Sequence, residues 1–196
     1  PMAPSTAVLF LLYGVAVGLR ARTPLSRRAY GIGVATVCLG TLVALGFFTL
    51  ALMNIQWTVE HLGLNIAGSV HGASTGHVSP VTAGCFLRAS VSYLASLSRS
   101  AAIRPWRVFL ASGSAGLSLG ASSIFLLAYL YGAPLLYGGR FIPPAINTIL
   151  AFVTLGLALL FLAGRSSGLF GGSSKDGSRT ALTLVSIFLL LAAGIV

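Results

Sequence analysis

The sequence predicts an all-α polytopic membrane helical bundle of about six transmembrane helices. Three observations carry that expectation. Of 196 residues, 56% are hydrophobic and 7% charged, against about a quarter charged in a soluble domain. The apolar residues fall into six stretches, each near the ~20 residues that cross a bilayer. The basic residues gather in alternate loops, as topology determinants do. With only Glu60 and Asp176 acidic, the surface calls for lipid rather than water as its solvent.

In chain order, the first stretch is residues 4–19, short for a crossing. Residues 29–55 are long enough to span with tilt. Residues 79–97 are the weakest, diluted by Ser90, Ser92, Ser96 and Arg88. Residues 106–130 and 143–163 are strongly apolar, and 180–196 run to the last residue. The length suits a single transmembrane domain over 1–196, without a second folded output domain.

Arg20, Arg22, Arg27 and Arg28 follow the first stretch. Arg99, Arg104 and Arg107 follow the third, and Arg165, Lys175 and Arg179 the fifth. Ten of the twelve basic residues thus share one side, and the opposite loops, 56–78 and 131–142, hold only Arg140. The positive-inside bias makes the basic side cytoplasmic and the N-terminus external. Trp57, Tyr131 and Tyr137 near outer ends, with Tyr30 and Trp106 near inner ends, fit the headgroup layers of that frame. A formal charge of +10 spread this way does not form the clustered basic face of a nucleic-acid binder, so no nucleic-acid partner is expected. The cysteines, Cys38 and Cys85, both lie in apolar stretches and read as buried structural thiols, with neither a disulfide framework nor a zinc spacing. The segment from Ala3 lacks the basic n-region of a signal peptide. Pro1 in place of Met, and a Val196 that ends outside after six crossings, read as a piece of a longer chain.

Three stretches open on a related pattern: Pro4-Ser5-Thr6-Ala7-Val8-Leu9-Phe10, Pro80-Val81-Thr82-Ala83-Gly84-Cys85-Phe86 and Pro144-Ala145-Ile146-Asn147-Thr148-Ile149-Leu150-Ala151-Phe152. Thr and Phe stay four apart, while the third copy has two extra residues after Pro. Proline suits a first helical turn, where its missing donor would have no partner. Ser or Thr can cap the exposed amides, and Phe four residues beyond Thr shares its helix face.

In the runs Met2-Ala3-Pro4-Ser5-Thr6-Ala7-Val8-Leu9-Phe10-Leu11-Leu12, Gly76-His77-Val78-Ser79-Pro80-Val81-Thr82-Ala83 and Tyr129-Leu130-Tyr131-Gly132-Ala133-Pro134-Leu135-Leu136-Tyr137-Gly138-Gly139, the chain resembles the multi-pass N-terminal region of bacterial membrane-bound sensor proteins. Those proteins join such helices to PAS, histidine-kinase or diguanylate-cyclase domains. The resemblance covers most of the chain. It implies a sensory or anchoring input module of a two-component or related signal-transduction protein, in the bacterial inner membrane, with a downstream cytoplasmic domain of the same chain as partner and a homodimer as assembly. No kinase or cyclase motif lies in these residues, so no enzyme activity and no cofactor are expected here. A small permease or transporter subunit is the alternative, disfavoured because the stretches hold no Asp or Glu to couple ions.

Arg88 is the one charge well inside a stretch, and an intramembrane ionisable residue is a ligand or partner contact candidate. The matching repeat positions are Leu12 and Thr154, and no acid lies in any stretch to pair with it. His77, with Glu60, His61 and His71 in the same loop, could sense protons or metals, but the spacings match no compact metal site. Gly14 and Gly18, and Ser112, Gly116 and Gly120, stand four apart, a spacing that lets helices approach closely.

Overall fold

The structure, a computed structural model, describes residues 3–21, 26–53, 69–70, 73–74, 78–97, 104–132 and 144–167. Among them are five helices: α1 (Pro4–Ala21), α2 (Arg27–Leu52), α3 (Pro80–Ser96), α4 (Arg104–Leu130) and α5 (Ile146–Ser167). A two-residue antiparallel ladder joins β1 (Ser69–Val70) to β2 (Ala73–Ser74) between α2 and α3. The sixth expected span, 180–196, lies outside the described residues, as do Glu60, His61, His71 and His77. Four helices are long and apolar enough to cross a membrane: α1, α2, α4 from Trp106 and α5 as far as Gly164. α3 has 17 residues, about 25 Å at roughly 1.5 Å per residue, and is shorter than those four.

The helix starts differ from the expected capping. Pro4 and Pro80 do occupy first helical positions. The amides behind them are held not by the repeat threonines but by the residue before each proline. The Ala3 carbonyl accepts from Thr6 N at 3.0 Å and Ala7 N at 3.3 Å. Ser79 Oγ accepts from Thr82 N at 3.2 Å. In the third copy the two extra residues leave Pro144 outside the helix. There its carbonyl accepts from the Tyr129 hydroxyl at 3.1 Å, and the Ala145 carbonyl takes the Ile149 amide at 3.0 Å. Thr6, Thr82 and Thr148 nonetheless all stand third in their helices, so the repeat preserves the place of Thr and Phe rather than that of Pro. Ser26 caps α2 through Ala29 N at 3.1 Å. Gly132 closes α4 with φ +67°, the left-handed geometry that a side chain resists.

The repeat helices α1, α3 and α5 all touch one another. They run parallel: Phe10, Phe86 and Phe152 meet at one level, and further along Tyr93 reaches the Ala16 carbonyl. α2 runs the other way and packs on α1 and α3; α4 packs on α3 and α5. Among the described residues α2 and α4 do not touch, so α3 is the centre of the bundle. Arg20 ends α1, Arg27 and Arg28 open α2, Arg104 and Arg107 open α4, and Arg165 lies in the last turn of α5. These share one end of the bundle, with Arg88 the sole described basic residue away from it.

Candidate functional site

The three repeat helices bury the same face in the same register. Thr6, Thr82 and Thr148 are buried, and so are the residues after them, Ala7, Ala83 and Ile149. The same holds three positions on, at Leu9, Cys85 and Ala151, and then at Phe10, Phe86 and Phe152. One further turn buries Tyr13, Ala89 and Leu155, and next to them Gly14, Ser90 and Gly156. The phenylalanines form a closed triangle with ring centroids 4.8 Å (Phe10–Phe86), 4.7 Å (Phe10–Phe152) and 4.8 Å (Phe86–Phe152). Interplanar angles near 60° set ring edges toward ring faces, the arrangement the aromatic quadrupole favours. Tyr13 extends the cluster, 5.3 Å from the Phe86 ring.

Below that triangle a polar seam descends between α1, α2 and α3. Ser90 Oγ donates to the Phe86 carbonyl at 3.0 Å. Its lone pairs then face the Tyr13 hydroxyl at 2.5 Å and Thr41 Oγ1 at 2.8 Å. A hydroxyl has one proton and two acceptor positions, so this one serine can tie three helices together. One turn on, the Tyr93 hydroxyl donates to the Ala16 carbonyl at 3.2 Å. At the basic end an Arg20 guanidinium nitrogen donates to the Ser96 carbonyl, with its Cζ 6.0 Å from the centre of the Tyr93 ring. On the far side of α3, Ser92 Oγ donates to the Ala111 carbonyl of α4 at 2.8 Å.

Two glycines of α2 make room for the seam. A Cβ on Gly40 would lie 2.9 Å from Cε2 of Tyr13, and one on Gly33 would strike the Tyr93 hydroxyl. On α5, a Cβ on Gly156 would come 3.1 Å from Cβ of Leu119 on α4. These are the close approaches, and the spacing argument missed Gly33 and Gly40. The four-residue stripe of α4 does not play that part: added Cβ atoms at Gly116 and Gly120 meet nothing within 4 Å. The packed small face of α4 is instead Ala111, Ala115, Ser118 and Ser122, all buried. Of the two cysteines, Cys85 is buried as expected, but Cys38 is exposed, because α2 turns only a narrow side to its neighbours.

No family model, curated protein or solved structure matches the chain.

Arg88 lies on the exposed side of α3, away from both triangle and seam. Its helix leaves one stripe incompletely covered, through Gly84, Leu87, Arg88, Val91, Leu94 and Ala95. The matched stripe on α1 holds Val8, Leu11, Leu12 and Val15, and that on α5 holds Leu150, Val153, Thr154 and Leu157. His77 lies outside the described residues. Among the described residues, no group of three His, Cys, Asp or Glu is placed to hold a metal ion. What the arrangement can do is mechanical. The packed aromatic triangle, seventh residue in each of its three helices, is linked by hydroxyls and close helix contacts to Arg20 at the basic end.

Proposed function

We propose that this chain is the membrane-embedded sensory or anchoring input module of a bacterial signal-transduction protein, a sensor histidine kinase above all. The observation that carries this reading is the register-matched trio of α1, α3 and α5, joined by the phenylalanine triangle and the seam that ends at Arg20. In this reading the basic end faces the cytoplasm of the inner membrane, following the charge bias. A cue at the opposite end alters the packing of the triangle. Because α1 and α3 are pinned by Ser90, Tyr93 and Arg20 along their length, a shift there moves both helices together toward the cytoplasmic side. Two packings of such an interface form a bistable element, which a signalling input requires.

The deciding experiment is to read the message that encodes the chain past Val196. An open frame that continues through another crossing into a PAS, kinase or cyclase segment supports the reading, and a stop codon at that point overturns it. Substrate-dependent flux through proteoliposomes holding the chain would favour the permease instead.

A further inference from the structure

The inner helices α1, α3 and α5 and the outer helices α2 and α4 obey one rule of placement. On α3, Ser90 bonds Thr41 of the helix before it, α2, and Ser92 bonds the Ala111 carbonyl of the helix after it, α4. Two residues turn a helix by about 200°, so these bonds leave α3 on nearly opposite sides. In the repeat register Ser90 corresponds to Gly14 on α1 and Gly156 on α5, and Ser92 to Ala16 and Ala158. Gly156 likewise faces the helix before it, through Leu119 of α4. The Ala16 carbonyl faces the helix after it, 3.9 Å from a Cβ placed on Gly33 of α2. The outer helices match as well. α2 buries Gly33, Val37, Gly40 and Ala44, and α4 buries residues at the same spacing, from Ala111 to Ser122. Each outer helix therefore seats one face between two successive inner helices, and the unit that repeats is a hairpin of one inner and one outer helix.

At two places the rule calls for an outer helix and the described elements supply none: the Gly14 side of α1 and the Ala158 side of α5. Among the described residues α2 does not touch α5, nor α4 α1. Since α1 and α5 touch each other, these two sides border a single groove, the third of its kind. Gly14 and Ala158 are nonetheless buried, as their counterparts Ser90 and Ser92 are. We propose that the apolar stretch 180–196 of this chain fills that groove as a third outer helix, antiparallel to α1 and α5, and closes a pseudo-threefold ring of three hairpins. The stretch holds no charged residue. α5 carries Arg165 in its last turn, so the chain returns from the basic end there as it does after α1 and α3, and successive elements tend to pack together. Residues 168–179 can reach up to roughly 40 Å, well beyond the ~10 Å between packed helices. A tethered segment also acts at an effective concentration in the millimolar range, which a second copy arriving through the bilayer has to exceed. Glycine and alanine at the groove let a helix approach closely. The placement is independent of any signalling role.

The test uses the whole chain in the membranes of an expressing cell, with Cys38→Ala and Cys85→Ala removing its own thiols. Leu11→Cys lies one turn before Gly14, and Thr154→Cys one turn before Ala158. The two flank the groove from either side at nearly one level. Each is combined in turn with single cysteine substitutions from Ser186 to Val196, and the chain is oxidised. Cysteines bridge only when their Cα atoms come within about 7 Å. Both partners are expected to cross-link within one chain to the same few positions, three or four apart as on one helix face. Val91→Cys, on the exposed stripe of α3, is expected to give no bond to them. No cross-link from either Leu11→Cys or Thr154→Cys, bonds that join two chains instead of closing within one, or equal bonding from Val91→Cys each overturns the proposal. If one of the two flanking variants fails to fold, the other decides by the same pattern.

Discussion

The phenylalanine triangle makes a quantitative claim. Phe86 faces three rings: Phe10, Phe152 and Tyr13. Each such pair contributes about 0.5–1.5 kcal/mol beyond the area it buries. Between membrane helices the area term is weak, because lipid is as apolar as a neighbouring side chain. Ring geometry therefore dominates, and Phe86→Leu is expected to lower stability by about 2 kcal/mol. The sharper measurement is a double-mutant cycle on the third edge, using Phe10→Leu and Phe152→Leu, whose rings lie 4.7 Å apart. The two changes should couple by about 1 kcal/mol. Reversible unfolding in bicelles, followed by tryptophan fluorescence or steric trapping, reads both values, and Val91→Ala on the exposed side of α3 is the control. If the two changes add to within about 0.3 kcal/mol, the rings are neighbours without being a unit, and the argument that the trio moves as one fails.

The seam and its glycines yield three more expectations on the same unfolding assay. Tyr13→Phe removes the contact to Ser90 with little change of shape, and should lower stability by about 0.6 kcal/mol, the average for hydrogen bonds inside a membrane bundle; no change would place the bond outside the energetics of folding. Gly40→Ala forces a methyl against the Tyr13 ring and should destabilise by about 1–3 kcal/mol, whereas Gly116→Ala, facing open space, should stay within about 0.5 kcal/mol of the parent. The reverse order would mean that α4, not α2, makes the close approach. Arg20→Gln removes the charge facing the Ser96 carbonyl and the Tyr93 ring and should destabilise by about 2 kcal/mol, with Arg20→Lys recovering part of the loss.

The five described helices were legible because length and apolarity are local properties, and the repeat was legible because Thr and Phe keep a fixed offset. The meeting of Phe10, Phe86 and Phe152 follows from that offset once the three helices run parallel. Close approaches were not legible in the same way. Four-residue spacing says that Ser112, Gly116 and Gly120 share a face, but not which face meets a neighbour. Gly40 matters only because Tyr13 of another helix lies over it, and no pattern within α2 records that. The burial of Cys38 was misjudged for a related reason. An apolar stretch in lipid need not be inside, and α2 exposes most of its circumference. The third proline misled through its two-residue insertion, which moved it out of the helix and left Thr148 in place.

Three helices that offer one another the same face carry a hazard of permutation. α1, α3 and α5 could exchange places in a bundle built from that face alone, and several arrangements would then compete at similar energy. What separates them is unlike from helix to helix. Tyr13 fits over Gly40 only when α1 lies against α2, and Ser90 meets Thr41 only when α3 lies beyond it. Gly156 admits Leu119 only when α5 lies beside α4. The even-numbered helices therefore act as keys, fixing the order in which three near-identical elements assemble around their shared centre.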